Sequence, residues 1–106
     1  MKLGIVISTN EPETAWNAFR LANFSRKEGD EVGVFLVGKG VEYEGASTEK
    51  FPAKKEAEKF AAAGGAILAC GTCLRSRGKE GDNLCPISSL SDLYALVKES
   101  DKVVSF

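Results

Sequence analysis

The opening stretch MKLGIVISTNEP, residues 1–12, decides how the remainder of the chain is read. An apolar run from Lys2 to Ser8 gives way to polar Thr9-Asn10-Glu11, and Pro12 then stands where the first residue of a helix belongs. Proline suits that position because its fixed φ is already helical and its missing N–H would have had no partner there. Ala15, Trp16, Phe19, Ala22 and Asn23 follow at helical spacing. The stretch therefore reads as a strand followed by a helix. The early polar break and the lack of a small-residue cleavage site argue against a secretory signal.

The same unit recurs along the chain. Gly29-Asp30 breaks the first helix, and Glu31 to Val37 is a β-rich run too short for a typical helix, read as a second buried strand. Residues 38–49 form a polar, glycine-containing loop of unusual length. Phe51-Pro52 opens another helix with Ala53, Ala57, Phe60 and Ala61 on one face, and Gly64-Gly65 stands where a C-terminal cap belongs. Ala66 to Ala69 makes a third strand. Residues 78–83 read as a loop and Leu84 to Ile87 as a short strand. Ser89 with Asp92 resembles a capping box ahead of a last helix whose apolar stripe is Leu90, Leu93, Tyr94 and Val97, and Lys102 to Phe106 closes the sheet. Strands alternating with helices need crossover connections, which makes the strands parallel. The expected fold is α/β: one domain, residues 1–106, built as a three-layer α/β/α sandwich on a mainly parallel sheet of about five strands.

Composition narrows the function classes. The charges nearly cancel, 14 Lys+Arg against 15 Asp+Glu for a formal net of -1, so no overall field draws nucleic acid or an anionic membrane. No apolar run approaches the ~20 residues that span a bilayer. Three cysteines, an odd number, fit a reducing, cytoplasmic setting with free thiols, and a chain of this size needs no disulfide to fold. There is no histidine, which removes the commonest general base and zinc ligand.

In open parallel sheets ligands gather at the carboxyl ends of the strands. Here those ends are Ser8-Thr9-Asn10, Gly38-Lys39-Gly40 and Cys70 to Cys73, so Asn10, Gly38, Lys39 and Gly40 are the expected crevice rim beside Cys70. The backbone N–H groups of Gly71, Thr72 and Cys73, at the start of a short helix, together with Arg75, Arg77 and Lys79, favour an anion at Cys70. A thiol so placed drops from about 8.5 into the range ~3.5–7.5 and becomes a nucleophile near neutrality. The competing reading makes Cys70 a small hydrophobe ending a buried strand. Cys70-x-x-Cys73 suits a dithiol pair or half of a metal site, although Cys73 could equally face the helix interior. Zinc lacks a second pair, so no metal is expected. Cys85, beside Pro86, is a candidate resolving thiol with core packing as its alternative. Gly38-Lys39-Gly40 lacks the phosphate-loop spacing, and its glycines read as turn residues. Trp16, Phe19, Phe24 and Phe60 read as core or subunit interface. Glu42, Tyr43 and Glu44 read as a solvated loop with a partner contact as the alternative.

With its opening strand ending in a polar turn (Ile5 to Asn10), a second strand running into Gly38-Lys39-Gly40-Val41, Cys70 followed eight residues later by Gly78 in an Arg-Gly pair, and a closing Ala95 to Phe106, the chain resembles the DsrE/DsrF-like family, which includes the Tus and Dsr sulfur-transfer subunits. The resemblance implies that Cys70 accepts sulfur as a persulfide and passes it on, with sulfur donor and acceptor proteins as partners, no metal or organic cofactor, and a trimer or hexamer of identical chains. Arg75 and Arg77 would then stabilise the persulfide anion. Cys73 departs from the relay subunits and is a candidate to release the sulfur by forming a disulfide. Two alternatives stand beside this reading: a thiol-disulfide redox protein using Cys70 and Cys73, and a non-catalytic oligomeric binding or regulatory module.

Overall fold

The computed structural model describes residues 1–81 and 87–106. Its organising feature is the in-register pairing of β1 (Lys2–Ile7) with β2 (Glu31–Leu36): Leu3, Ile5 and Ile7 stand opposite Val32, Val34 and Leu36. Side chains alternate across a strand, so these six point to one face and Gly4, Gly33 and Phe35 to the other. β3 (Ala66–Cys70) continues the pattern on the far side of β2, with Ile67 opposite Val34 and Ala69 opposite Leu36. β4 (Ile87–Ser88) pairs with β3, and β5 (Lys102–Ser105) with β1, giving a five-stranded parallel sheet in the order β4-β3-β2-β1-β5.

The richer face is covered by α1 (Pro12–Lys27) and α3 (Ala53–Ala62), which bury Ala15, Ala18, Phe19, Ala22, Ala57 and Phe60 against it. Alanines let the two helices lie close to the strands, and Phe19 and Phe60 fill the space between, each contributing about 1.5–3 kcal/mol by burial. α1 begins where Pro12 was expected to start it, capped by the Glu11 carboxylate, which accepts from the Glu13 and Thr14 N–H groups at 3.1 and 2.8 Å. The Thr14 hydroxyl also donates to it, and these bonds hold the Glu11 carboxyl below its usual range. The stop after α3 is the expected one, with Gly64 at φ +88 and the Gly65 N–H returning to the Phe60 carbonyl at 2.9 Å. α5 (Leu90–Glu99) lies on the other face, where Leu96 occupies the trough left by Gly4 and Gly33. The result is the three-layer α/β/α arrangement, thick on one side and thin on the other.

Several expectations change. The long loop at 38–49 is largely helical: a 3₁₀ turn spans Gly38–Glu42 and α2 spans Tyr43–Ala46. Tyr43 is in the core, 2% exposed, with its ring 5.3 Å from that of Phe19, so it is no solvated loop residue. The aromatic group divides, since Phe19 and Phe60 are buried while Phe24 is 62% exposed and outside the core. Trp16 is half-buried against Phe51. On α5 the expected inward stripe is largely outward: Leu90 is 75% and Tyr94 65% exposed. Docking of Leu96 over the two sheet glycines sets the rotation of that helix, which the helical period alone leaves free. Residues 82–86, including Cys85 and most of the expected strand from Leu84, lie outside the described residues.

Gly40 lies within the 3₁₀ turn, its N–H donating to the Val37 carbonyl at 2.9 Å, and its backbone is also pressed against β1: a Cβ there would lie 2.0 Å from the Ile7 carbonyl oxygen. A β-carbon at Gly45, in α2, would meet nothing within 4 Å. Gly40→Ala should therefore lower stability by about 1–3 kcal/mol, whereas Gly45→Ala should leave it unchanged or raise it by up to ~1 kcal/mol. Urea denaturation of the two variants checks this, and equal effects would refute the close approach as the reason for Gly40.

Candidate functional site

Cys70 is both the last residue of β3 and the N-cap of α4 (Gly71–Arg75). β2 ends opposite Ala69, so Cys70 reaches one residue past its neighbour and sits at the carboxyl rim of the sheet, flanked on its other side by Ser88 of β4. The chain can turn from strand to helix at this point because Gly71 follows. A Cβ on Gly71 would press on Ile87, on the Ser88 carbonyl and on the Arg75 guanidinium, all at 3.1 Å. Gly71 is accordingly buried, and its main contribution is close packing.

The Cys70 thiol is held below its ordinary pKa. The chief cause is the backbone N–H of Cys73, followed by the Cys73 side chain; burial opposes them, and the Thr72 N–H and the charge of Arg75 add to them. These are donors at the open end of a helical turn, where an anion supplies the acceptor that the peptide groups lack. Thr72 itself is exposed and takes part through its backbone. Cys73 faces inward one turn on, packs against the core, and accepts the Gly38 N–H at 3.2 Å on its sulfur. Both cysteines are free thiols. Both are partly exposed, Cys73 with its sulfur held against the 3₁₀ turn by the Gly38 N–H.

The two arginines part company. Arg77 donates from Nε to Glu42 at 2.6 Å and from Nη1 to the Cys73 carbonyl at 3.1 Å. This pairing, with a further hydrogen bond from the Asn10 side chain, holds the Glu42 carboxyl below its usual range despite partial desolvation. Arg77 is thus a brace that ties α4 to the 3₁₀ turn, and Arg75 is the arginine whose charge reaches Cys70. Asn10 reaches this neighbourhood through Glu42 and Gly38 through Cys73. Gly40 lies buried under the rim, and Lys39 is exposed and, among the described residues, makes no hydrogen bond or ion pair. Glu42 is the residue that sequence reasoning missed in this role. It lies 35 positions from Arg77, and nothing local marks the pair.

Alkylation of Cys70 by iodoacetamide, followed peptide by peptide by mass spectrometry, should rise with pH through a midpoint below the ~8.5 of a free cysteine. Since the folded thiol is the more acidic, its contribution to stability is complete above the unfolded pKa and is lost as pH falls through the folded one. Arg75→Ala should move the midpoint upward and Arg77→Ala should leave it in place. A wild-type midpoint at or above the free value would overturn the capped-thiol geometry.

Comparison with known proteins places this arrangement in a family. The profile of the DsrE/DsrF-like family matches residues 1–106. An uncharacterized protein of Methanocaldococcus jannaschii is 37% identical over 117 aligned positions that span 100% of both chains. An uncharacterized protein of Methanopyrus kandleri is 33% identical over 100 positions, 89% of this chain and 83% of that one. The crystal structure of the ychN protein from E. coli matches with a TM-score of 0.83 over 100% of both chains at 22% identity, a likeness of fold. The full-length match and the shared fold agree: the chain belongs to the DsrE/DsrF-like family.

Proposed function

We propose that the chain, acting as one DsrE-like domain over residues 1–106, is a cytoplasmic sulfur carrier that holds sulfur as a persulfide on Cys70. The observation that carries this reading is the acidified Cys70 thiol at the N-cap of α4, half-exposed at the rim where a partner's cysteine can approach. In the loading step the Cys70 thiolate attacks the outer sulfur of a donor persulfide. The donor's S–S bond breaks, the donor leaves as a thiolate, and the Cys70 persulfide remains. In the unloading step an acceptor thiolate attacks that outer sulfur and Cys70 leaves as a thiolate. Neither step changes the total number of electrons, so the relay requires no redox cofactor. The N–H groups that favour the Cys70 thiolate also suit the anionic persulfide and lower the cost of the leaving group. Family membership supports sulfur donor and acceptor proteins as partners. It also supports a homo-oligomer, trimer or hexamer, for which the outward Leu90, Tyr94 and Val97 offer apolar interface.

A second reading rests on a specific contact. The Cys73 side chain is among the groups that hold the Cys70 thiol below its ordinary pKa, which supports pairing of the two sulfurs in a thiol-disulfide exchange protein. Intact-protein mass spectrometry separates the two. After incubation with a cysteine desulfurase and cysteine, the relay reading expects an adduct of about 32 Da, the mass of one sulfur, on wild type and Cys73→Ser and none on Cys70→Ser. No adduct on wild type, together with a reversible loss of two hydrogens on oxidation that Cys73→Ser abolishes, would replace the relay with the redox reading. Neither change would leave an oligomeric binding module.

A further inference from the structure

The outer groove between α1 and α3 takes no part in the chemistry at Cys70. Its volume is about 690 Å³, within the ~300–1,000 Å³ of small-molecule sites. Arg20, Arg26, Lys27 and Lys59 line it, against the single carboxylate of Glu56. That local excess of positive charge stands in a chain whose formal net charge is -1. The ion pairs among the described residues join Met1 to Asp30, Lys2 to Glu31 and Glu99, and Arg77 to Glu42, so none of the four groove cations is neutralised. Glu56 is turned toward α1, where the Asn23 amide donates to its carboxylate at 2.7 Å and to its carbonyl at 3.0 Å. Arg26 donates to the carbonyls of Ala63 and Asp30, at 2.7 and 3.4 Å, and its buried Nε has no acceptor.

A second feature is independent of charge. Phe24, 62% exposed, shares this wall with Leu21, which gives the groove an apolar platform between its cations. Arg20 is pre-positioned there, its guanidinium 4.3 Å from the centroid of the Trp16 ring and bonded to the Asn17 side chain at 3.0 Å. An aromatic face beside unpaired cations matches a ligand that is flat and apolar at one end and anionic at the other.

We propose that the α1/α3 groove binds a nucleotide-like anion, a planar heteroaromatic ring joined to phosphate. The ring lies on Phe24 and Leu21, and the phosphates meet Arg20, Lys27 and Lys59. A helix that follows a parallel strand runs back antiparallel to it, so the last turn of α1 is at the opposite edge of the sheet from Cys70. Arg26 marks that edge through Asp30, which pairs with the amino terminus. A ligand in the groove therefore leaves the Cys70 rim open, and the proposal stands or falls separately from the sulfur-relay reading.

The test is calorimetric titration of the full chain with ADP, against pyrophosphate as charge without ring and adenosine as ring without charge. ADP should bind saturably and shift the emission of Trp16, the single tryptophan. Pyrophosphate and adenosine should each bind at least roughly tenfold more weakly. Phe24→Ala and Lys59→Glu alter exposed side chains and should each weaken ADP by roughly tenfold while leaving Cys70 alkylation unchanged. Three results would overturn the proposal: no binding of ADP at millimolar concentration, pyrophosphate binding as tightly as ADP, or ADP binding that both variants leave intact.

Discussion

The rim at Cys70 depends on where β3 stops relative to β2. Leu36 pairs with Ala69, so β2 is finished when β3 still has one residue to run. That residue is the cysteine, left with a strand neighbour on the β4 side and none on the β2 side, where the chain runs on from β2 into the 3₁₀ turn. Slipping the register by one residue would exchange the two faces of β3, placing Ile67 and Ala69 away from α1 and α3. The burial of the β3 side chains and the position of the thiol are therefore one constraint, and the core that stabilises the fold also places Cys70 at the rim.

The two faces of the sheet are built unequally. Alanine-rich contacts draw α1 and α3 down onto the strands with the aromatic rings between them, whereas α5 sits on the other face through Leu96 and two glycines. The thick face buries the side chains that hold the sheet. The thin one leaves Leu90, Tyr94 and Val97 outside as an exposed apolar face. The outward side of the thick face carries unpaired cations and an exposed phenylalanine. Three parts of the molecule thus have separate demands on them: a thiol rim, an apolar helix face and a basic groove.

Around the thiol, charge is divided between support and chemistry. Arg77 and Glu42 neutralise one another across the join between α4 and the 3₁₀ turn, with Asn10 completing the set. The backbone donors of α4 and the Arg75 charge are then directed at Cys70. A fully unpaired cluster of cations would acidify the thiol further but would leave α4 less firmly held.

The residue pattern by itself determined the alternation of strands and helices, the start of α1 at Pro12, the stop at Gly64-Gly65 and the thiol at a strand end, because each follows from local periodicity, backbone φ or capping. The pairing of Arg77 with Glu42, the burial of Tyr43, the close approach at Gly40 and the outward turn of α5 were decided only by the tertiary structure. Each of these joins segments far apart in the chain, and a contact of that kind is set by how packed layers meet. Local spacing is the same whether Arg77 faces Cys70 or Glu42, and whether Leu96 or Leu90 faces the sheet; the register of the strands and the shape of the surface they present make the choice.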